Sequence, residues 1–197
     1  MFTDNQINQV INFITTQSVD RVPLVVGIDG LTGAGKSTLV RQISRVLDEV
    51  LVVELDDFYR PISDDKICKI PATQIYECYF DSKMFRDLVL YPLIHGLPSR
   101  YRRYNWCTNK QAEWIDLTPA RFVIVDGVFS TLPELRSLYN VTVFVNTDRD
   151  IRISRLQKRF YKDMSWLDGW IDAENLYMEN IQPIQYVDLV LDGSNIE

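Results

Sequence analysis

The sequence predicts an α/β protein built on a five-stranded parallel sheet flanked by helices. Five short apolar runs rich in β-branched residues recur along the 197 residues, and such runs are typical of strands buried on both faces of a parallel sheet. Amphipathic helical patterns lie between these runs, which favours right-handed β–α–β crossovers. A glycine-rich segment joins the first strand to the next helix. Because no linker or repeat divides the chain, we expect a single domain over 1–197.

Hydrophobic periodicity justifies each element in order. Apolar residues at i, i+3, i+4 and i+7 predict a first helix at about 4–18, with Asp4 as its cap. Two stretches, 60–75 and 97–118, are expected to be loops that decide the substrate. The predicted strands are 23–30, 50–55, 121–128, 141–146 and 186–191. The other predicted helices are 36–48, 81–94, 131–138, 148–163 and 168–182.

The composition indicates a globular protein of the cytoplasm. Hydrophobic residues make up 46% and charged residues 24%, and no apolar run reaches the roughly 18–20 residues that span a bilayer. The net charge of −6 argues against a general nucleic-acid binder, which would be basic. We therefore expect neither a membrane nor a nucleic-acid partner. The three cysteines, Cys68, Cys78 and Cys107, and the one histidine, His95, lack metal-ligand spacing. The cysteines are therefore expected to be reduced thiols.

The positive charge is concentrated in two segments of this acidic chain. One holds three arginines within four residues, and the other holds six basic residues within fourteen. Such clusters suit the capture of a small polyanion. Their members are Arg100, Arg102 and Arg103, and Arg149, Arg152, Arg155, Lys158, Arg159 and Lys162.

The glycine-rich segment matches G-x-x-x-x-G-K-[ST] between a strand and a helix. It reads Gly30, Leu31, Thr32, Gly33, Ala34, Gly35, Lys36 and Ser37. The glycines let the backbone N–H groups converge on phosphate oxygens, and the helix start adds its dipole. Lys36 is predicted to reach the β- and γ-phosphates, Ser37 to ligate Mg²⁺ and Thr38 to bind another phosphate oxygen. The pattern predicts a three-layer P-loop NTPase fold that binds ATP.

Acidic residues follow two of the predicted strands. Asp126 ends the strand 121–128, where it is predicted to hold Mg²⁺ together with Ser37. Asp56 and Asp57 follow the strand 50–55, at the edge of the sheet where ligands of open α/β sheets bind. An ionised Asp56 there can accept the proton of an acceptor hydroxyl during phosphoryl transfer.

Together with GIDGLTGAGKST, four further segments make the chain resemble the uridine kinase and phosphoribulokinase family of P-loop kinases. They are LDDFYR, YFDSKMF at 79–85, VIVDGVF, and TDRDIRISRLQKR at 147–159. The resemblance covers about residues 22–191. It implies an ATP-dependent, Mg²⁺-dependent kinase with a helical lid at about 148–163, a small-molecule acceptor and a possible homo-oligomeric state.

The resemblance also implies roles for individual residues. Asp56 matches the catalytic aspartate, and Tyr59 matches the tyrosine that contacts the acceptor. Phe80 and Asp81 match the pair that meets the nucleoside, and Tyr104 matches a tyrosine that lines the base pocket. Lys36 is also expected to be catalytic. Arg152 and Arg155 match lid arginines that neutralise the phosphates, and Arg159 is a further ATP-binding candidate. These arginines recur at i, i+3 and i+7, on one face of a helix.

The chain departs from the uridine kinase pattern at three positions. Asn109 and Gln111 stand where uridine kinases have a histidine and an arginine, and Asp126 stands where they usually show glutamate. The leading hypothesis is a kinase of a nucleoside such as uridine or cytidine, or of a nucleoside-like acceptor. A non-nucleoside acceptor stays open: a sugar phosphate, pantothenate, glycerate or nicotinamide riboside. The arginines at 100–103 would suit an acceptor that already carries an anion.

A nucleotide-dependent regulatory binding protein is the rival from a different class. The segment TNKQA at 108–112 is superficially similar to the guanine-reading Asn-Lys-x-Asp of GTPases, but Ala112 replaces the last aspartate and no strong strand is predicted before it. A family member that binds nucleotide without catalysis is the third possibility. Trp166, Trp170 and Tyr177 lie at helical spacing and are expected to pack in the core or at an interface.

Overall fold

The computed structural model describes residues 1–17, 23–60, 79–106, 108–160 and 166–195. The strands in these ranges are β1 (Leu24–Asp29), β2 (Val50–Glu54), β3 (Ser99–Asn105), β4 (Lys110–Leu117), β5 (Phe122–Asp126), β6 (Val141–Asn146) and β7 (Leu189–Asp192). Five of them form one parallel sheet, in the order β2-β5-β1-β6-β7, and the other two form an antiparallel hairpin, β3-β4. Strand β1 is therefore central, and the segment that follows it lies at the carboxyl edge of the sheet.

Helices cover both faces of the sheet. Short 3₁₀ turns occur at Leu55–Phe58 and Pro183–Gln185. Helix α3 is composite, since a π-helical stretch, Arg86–Leu90, separates its α-helical ends, Ser82–Phe85 and Tyr91–Ile94. The other helices are α1 (Asp4–Thr16), α2 (Lys36–Ile43), α4 (Pro133–Arg136), α5 (Arg149–Arg159) and α6 (Leu167–Asn180). No helix in the described ranges combines the length and the apolarity needed to cross a bilayer.

Two apolar cores lie on opposite faces of the sheet because successive strand side chains alternate. In β1, Val25 belongs to the core with α3, α6 and the hairpin, whereas Val26 belongs to the core with α1 and α2. A third, smaller cluster joins α5 to α6 through Leu156, Leu167 and Ile171. The first core carries the side chains that reach the acceptor side of the predicted site.

The five predicted strands and the sheet are confirmed, and several element bounds are corrected. Helix α1 begins at Asp4, but its cap is Thr3, whose hydroxyl accepts from Gln6 N in a capping box. Helix α2 ends at Ile43 instead of 48, because the chain turns back and Glu49 adopts a left-handed φ of 56° before β2. Strand β7 begins at Leu189 instead of 186, since the 3₁₀ turn occupies 183–185. Helix α4 is shorter than 131–138, and α6 shorter than 168–182 at its C-terminal end.

The β3-β4 hairpin is the main element that the sequence pattern missed. The predicted loop 97–118 is largely a two-stranded ribbon, and the expectation that no strand precedes TNKQA is wrong, since β3 ends at Asn105. The alternation is hidden because exposed positions carry arginine and tryptophan while Tyr101 and Tyr104 are buried. Outside the described residues lie Cys68, Cys78, Cys107, residues 161–163 of the predicted lid and 61–75 of the other predicted loop.

Candidate active site

The loop after β1 has the backbone that the glycine pattern predicts. Gly30, Gly33 and Gly35 have φ values of 145°, 81° and 105°, a region that L-residues with a Cβ rarely adopt. A Cβ on Gly30 would lie 2.5 Å from the Val145 carbonyl oxygen, so the loop also needs glycine there for its close approach to β6. Helix α2 begins directly after it, at Lys36. The amino terminus of a helix therefore adjoins the loop, as an anion site requires.

Side chains from several elements bind the carbonyl groups of this loop. The Lys36 ammonium donates to Gly30 O at 2.8 Å. Thr147 Oγ1, just after β6, donates to Ala34 O at 2.9 Å. Because these donors take up carbonyl oxygens, the predicted phosphate-binding segment is anchored to α2 and to the end of β6.

Asp29, the last residue of β1, anchors the P-loop to the segments around it. Its buried carboxylate accepts from Gly30 N at 2.6 Å and, across the site, from Phe129 N, Thr131 N, Thr131 Oγ1 and Tyr177 Oη. These groups come from the loop after β5 and from α6. One carboxylate thus ties the P-loop to two other segments. Sequence reasoning missed Asp29, although it is a strand-terminal acid like Asp126.

Ser37 and Asp126 are adjacent, and their donor set fits Mg²⁺. The Ser37 hydroxyl hydrogen-bonds the Asp126 carboxylate, while Asp126 Oδ1 is buried and has no hydrogen-bond partner among the described residues. Burial and nearby Asp29 raise the pKa of Asp126, whereas Lys36 and Ser37 lower it. Hydroxyl and carboxylate oxygens are ligands that Mg²⁺ accepts, commonly with substrate phosphates and water completing its shell. An unsatisfied buried carboxylate oxygen is what such a cation would satisfy.

Asp56 lies on the 3₁₀ turn after β2, beside the P-loop. The residue is exposed to solvent, but many protein atoms lie near its carboxyl group. The partial desolvation that they cause raises the pKa of Asp56 to about 6. Lys36 lowers this pKa, and Asp126, Glu54 and Asp57 raise it. Asp56 is thus close enough to Lys36 and Asp126 to interact electrostatically with both. A carboxylate with such a pKa can accept a proton near neutral pH.

The neighbouring Asp57 is engaged differently. Its carboxylate is 7% exposed, accepts from Tyr101 Oη at 2.7 Å and pairs with Arg103 at 3.4 Å. Burial raises its pKa, and the contacts with Tyr101 and Arg103 lower it. Asp57 therefore fastens the hairpin to β2.

An aromatic cluster adjoins Asp56 on the acceptor side. The Tyr59 ring lies 4.7 Å from Trp106 and 5.4 Å from Trp170, centroid to centroid. Trp106 in turn meets Tyr104 edge-on at 4.8 Å. Tyr104 Oη donates to Asn109 Oδ1 at 2.6 Å, so the residue expected to stand in place of the histidine touches a predicted base-pocket residue. Planar rings at this spacing favour a planar, partly apolar ligand.

Phe80 and Asp81 reach the same region. An isolated β-bridge pairs Tyr59 with Phe80, whose ring is buried against Phe85. Asp81 Oδ1 accepts from Met84 N as the cap of α3, and Oδ2 pairs with Arg60 at 3.2 Å. Both oxygens of Asp81 thus have protein partners, and binding of a ribose hydroxyl would compete with Arg60.

The three predicted lid arginines differ in their surroundings. Arg152 is buried and donates to Thr32 O and to Glu174 Oε2, both at 3.0 Å. Arg155 donates to Gly33 O at 3.3 Å and to Gly193 O at 2.9 Å. Arg159 is exposed at the end of α5, with its guanidinium 5.0 Å from the Phe160 ring centroid. Two of the three therefore contact the P-loop backbone directly.

A cavity of about 730 Å³ opens beside the P-loop at the carboxyl ends of β6 and β7. Thr147 and Arg152 line it and also bind P-loop carbonyls. The cavity is large enough for the base and sugar of a nucleotide. Its other lining residues are Asn146, Asp148, Arg149, Asn175, Val190, Asp192 and Ser194.

The arginines of the hairpin have partners within the hairpin. Arg100 pairs with Asp116 at 3.0 Å, Arg102 donates to Ala112 O, and Arg103 pairs with Glu113 as well as with Asp57. The basic segment 100–103 is thus largely neutralised by the hairpin and β2, which reduces its suitability for an anionic acceptor.

Comparison with known proteins places this site in a family. The profile of the "Phosphoribulokinase / Uridine kinase family" matches residues 25–167. The chain belongs to the phosphoribulokinase/uridine kinase family. A curated uridine kinase from Borrelia turicatae (strain 91E135) is 28% identical over 180 residues, which cover 85% of each chain.

Solved structures agree with the family on the fold. A possible uridine kinase from Bacillus stearothermophilus has a TM-score of 0.72 at 23% identity, over 95% of this chain and 98% of that one. A D-glycerate 3-kinase from Cryptococcus neoformans has a TM-score of 0.64 at 13% identity, over 95% and 96%. The P-loop kinase fold is thereby confirmed, and it is shared by proteins whose names give different acceptors.

Proposed function

We propose that this family member is an ATP-dependent, Mg²⁺-dependent kinase that phosphorylates a hydroxyl group of a nucleoside such as uridine or cytidine, or of a nucleoside-like acceptor. The observation that carries the proposal is that Asp56 interacts electrostatically both with Lys36 of the P-loop and with Tyr59 of the aromatic cluster. A kinase needs a carboxylate at this junction, where the donor phosphates and the acceptor hydroxyl meet.

On the donor side, the proposed roles follow from the P-loop. Its backbone N–H groups and Lys36 bind the phosphates of ATP, with Thr38 as a further donor. The cavity beside the loop accommodates the base and sugar. Ser37 and Asp126 hold Mg²⁺, which supplies charge neutralisation at the β- and γ-phosphates.

On the acceptor side, Asp56 orients the hydroxyl and takes its proton as the new bond forms. The hydroxyl oxygen attacks the γ-phosphorus, the bond from that phosphorus to the β–γ bridging oxygen breaks, and ADP leaves. Tyr59, Phe80, Asp81 and Tyr104 bind the acceptor in this scheme. The arginines of α5 stabilise charge on the transferred group, since a phosphoryl transition state spreads it over several oxygens.

An uncharged, planar acceptor is favoured over a sugar phosphate for a specific reason. The hairpin arginines that would suit a second anion pair with Asp116, Asp57 and Glu113. The pairs with Asp116 and Glu113 are exposed and cost little to break. Moving Arg103 away from the buried Asp57, however, would leave that carboxylate without its cation, which offsets the gain from binding an acceptor phosphate. The exposed ring of Trp106, which packs against Tyr59 and Tyr104, offers stacking surface instead.

The test is ADP release from Mg·ATP across a panel of acceptors: uridine, cytidine, nicotinamide riboside, pantothenate, glycerate and several sugar phosphates. We expect a nucleoside-type acceptor to stimulate turnover, and Asp56→Asn to lose at least 100-fold of it. Asp57→Asn is the matched control, because its carboxylate binds Tyr101 and Arg103, and it should lose less than tenfold.

Three outcomes would revise the proposal. Stimulation by a sugar phosphate alone would replace the nucleoside with an anionic acceptor. Equal losses in the two variants would remove Asp56 from the role of base. If no acceptor stimulates turnover and Asp56→Asn changes nothing, a regulatory nucleotide-binding protein becomes the better hypothesis.

A further inference from the structure

Glu174 is a buried carboxylate that the proposed mechanism leaves without a role. It lies on α6, is 1% exposed, and both of its oxygens have donors. Oε1 accepts from Thr32 N at 2.5 Å and from Trp170 Nε1 at 3.1 Å. Oε2 accepts from Arg152 Nη1 at 3.0 Å. A buried charge persists when it is paired and hydrogen-bonded in this way.

Glu174 and Arg152 together hold both backbone polar groups of one P-loop residue, Thr32. Glu174 accepts from the N–H of Thr32, and Arg152 donates to the carbonyl of the same residue at 3.0 Å. Trp170 Nε1 also donates to the Thr32 hydroxyl, at 2.6 Å. Thr32 is thus fixed through its backbone N–H, its carbonyl and its side chain by residues from α5 and α6.

Arg152 also lines the cavity beside the P-loop. Its guanidinium is anchored on the protein side by Glu174 and Thr32 while the residue forms part of the wall where a nucleotide would lie. An arginine side chain has several rotatable bonds, and ordering it opposes binding unless it is already ordered.

We propose that Glu174 is a positioning residue that pre-orients Arg152 and the Thr32 backbone for nucleotide binding. The inference rests on the proposed function, since it takes Arg152 to act on the phosphates of ATP. Glu174 acts through Arg152 and the P-loop and touches no reacting group. Trp170 extends the arrangement to the acceptor side, because its ring also contacts Tyr59.

The test is isothermal titration calorimetry with Mg·ATP on the full chain. Glu174→Gln keeps the volume and one acceptor oxygen but removes the charge opposite Arg152. We expect about tenfold weaker nucleotide binding. The matched control is Asp172→Asn, an exposed acid two residues away on α6, which should stay within twofold of the wild type. Unchanged binding in Glu174→Gln overturns the proposal. Tighter binding overturns it too, because Glu174 would then hold Arg152 away from the nucleotide.

A double-mutant cycle tests whether Glu174 acts through Arg152. Arg152→Ala should weaken Mg·ATP binding at least as much as Glu174→Gln. The Arg152→Ala/Glu174→Gln double variant should bind no more weakly than Arg152→Ala alone. Fully additive losses would mean that Glu174 acts independently of Arg152, which contradicts the proposal.

Steady-state kinetics separate positioning from a merely structural role. In Glu174→Gln we expect KM for ATP to rise about tenfold and KM for the acceptor to stay within twofold. A structural defect would lower the amount of active protein and leave KM for ATP unchanged. Should that variant not fold, Trp170→Phe keeps an aromatic ring, although a smaller one, and removes the N–H that donates to Glu174 and Thr32. It should weaken nucleotide binding two- to threefold, and no change would overturn the proposal.

Failure of this inference and failure of the proposed function give different results. If the wild type binds Mg·ATP but no acceptor stimulates turnover, the kinase proposal fails and the binding test of Glu174 still stands. If turnover is stimulated while Glu174→Gln binds Mg·ATP normally, the kinase proposal stands and Glu174 has no positioning role.

Discussion

Two adjacent aspartates show how strongly tertiary surroundings differentiate identical residues. Asp56 and Asp57 follow the same strand, and the sequence pattern alone treats them as a pair. In the folded protein, Asp57 is bound by Tyr101 and Arg103, while Asp56 interacts with Lys36 and Asp126. Their chemical availability therefore differs, although desolvation by nearby protein atoms raises both pKa values.

The raised pKa of Asp56 predicts the acid side of the pH–rate profile. A base must be ionised to accept a proton, so activity is present above the pKa and is lost as the pH falls through about 6. We expect kcat/KM to fall about tenfold per pH unit below that value. Because the γ-phosphate of ATP also titrates near pH 6, the ratio of wild-type to Asp56→Asn activity is the quantity to measure. A ratio that does not change between pH 5 and 7 would contradict the assignment.

Asp29 predicts a large stability effect from a change of one atom. Asp29→Asn would turn one acceptor into an NH₂ group among five donors, and the buried mismatch should cost about 3 kcal/mol of unfolding free energy. Tyr177→Phe removes one of those donors and should cost about 1 kcal/mol. Urea unfolding measures both. Equal costs for the two variants would mean that the carboxylate network is not cooperative.

At the scale of elements, the turn after β7 packs against the proposed nucleotide site. Gly193 N donates to Asn146 O, and Arg155 donates to Gly193 O, so the turn is joined to β6 and α5. A Cβ on Gly193 would lie 2.5 Å from Ala34 O of the P-loop and 2.3 Å from Thr147 Oγ1. The turn and the P-loop therefore pack too closely for any other residue.

Two glycine-to-alanine variants test this packing, because they should change the unfolding free energy in opposite directions. Gly193→Ala should displace the P-loop, weakening Mg·ATP binding about tenfold and lowering stability by about 1–3 kcal/mol. Gly169→Ala is the control, since a Cβ on that residue of α6 meets no atom of the described residues within 4 Å. It should raise the unfolding free energy by about 0.5–1 kcal/mol, because alanine favours the helix. Calorimetry and urea unfolding report these changes. Normal nucleotide binding in Gly193→Ala would contradict the close packing.

On the scale of the whole molecule, the sheet separates a supporting face from a working face. Helices α1 and α2 pack on one side with Ile14, Ile43 and Val143, and the other side carries Phe58, Phe85 and the aromatic cluster. Changes on the supporting face should therefore alter stability without altering the acceptor site.

Ile14→Ala tests this division. The side chain is fully buried, so its truncation should cost about 2–5 kcal/mol of unfolding free energy. Activity per folded molecule and KM for the acceptor should stay within twofold of the wild type at a temperature well below the unfolding midpoint. A marked rise in KM for the acceptor would show that the two faces are coupled.

The sequence by itself determined the parallel sheet, the P-loop and the family, because these depend on residues that are contiguous or evenly spaced. Apolar runs predicted the five strands, and Gly30 to Ser37 predicted the loop. Element ends and the composite α3 were predicted less well, since propensity gives way to tertiary packing at helix termini.

Only the tertiary structure decided how the site is held together. Thr32 and Glu174 are 142 positions apart, and Asp29 and Tyr177 are 148 apart, so no local pattern links them. The hairpin was hidden because a register shift between Arg102 and Tyr104 breaks the alternation of its buried tyrosines with arginines that pair across the strands. Hydrogen bonds between distant residues depend on where the folded backbone brings them, and a single sequence read in order carries no signal of that distance.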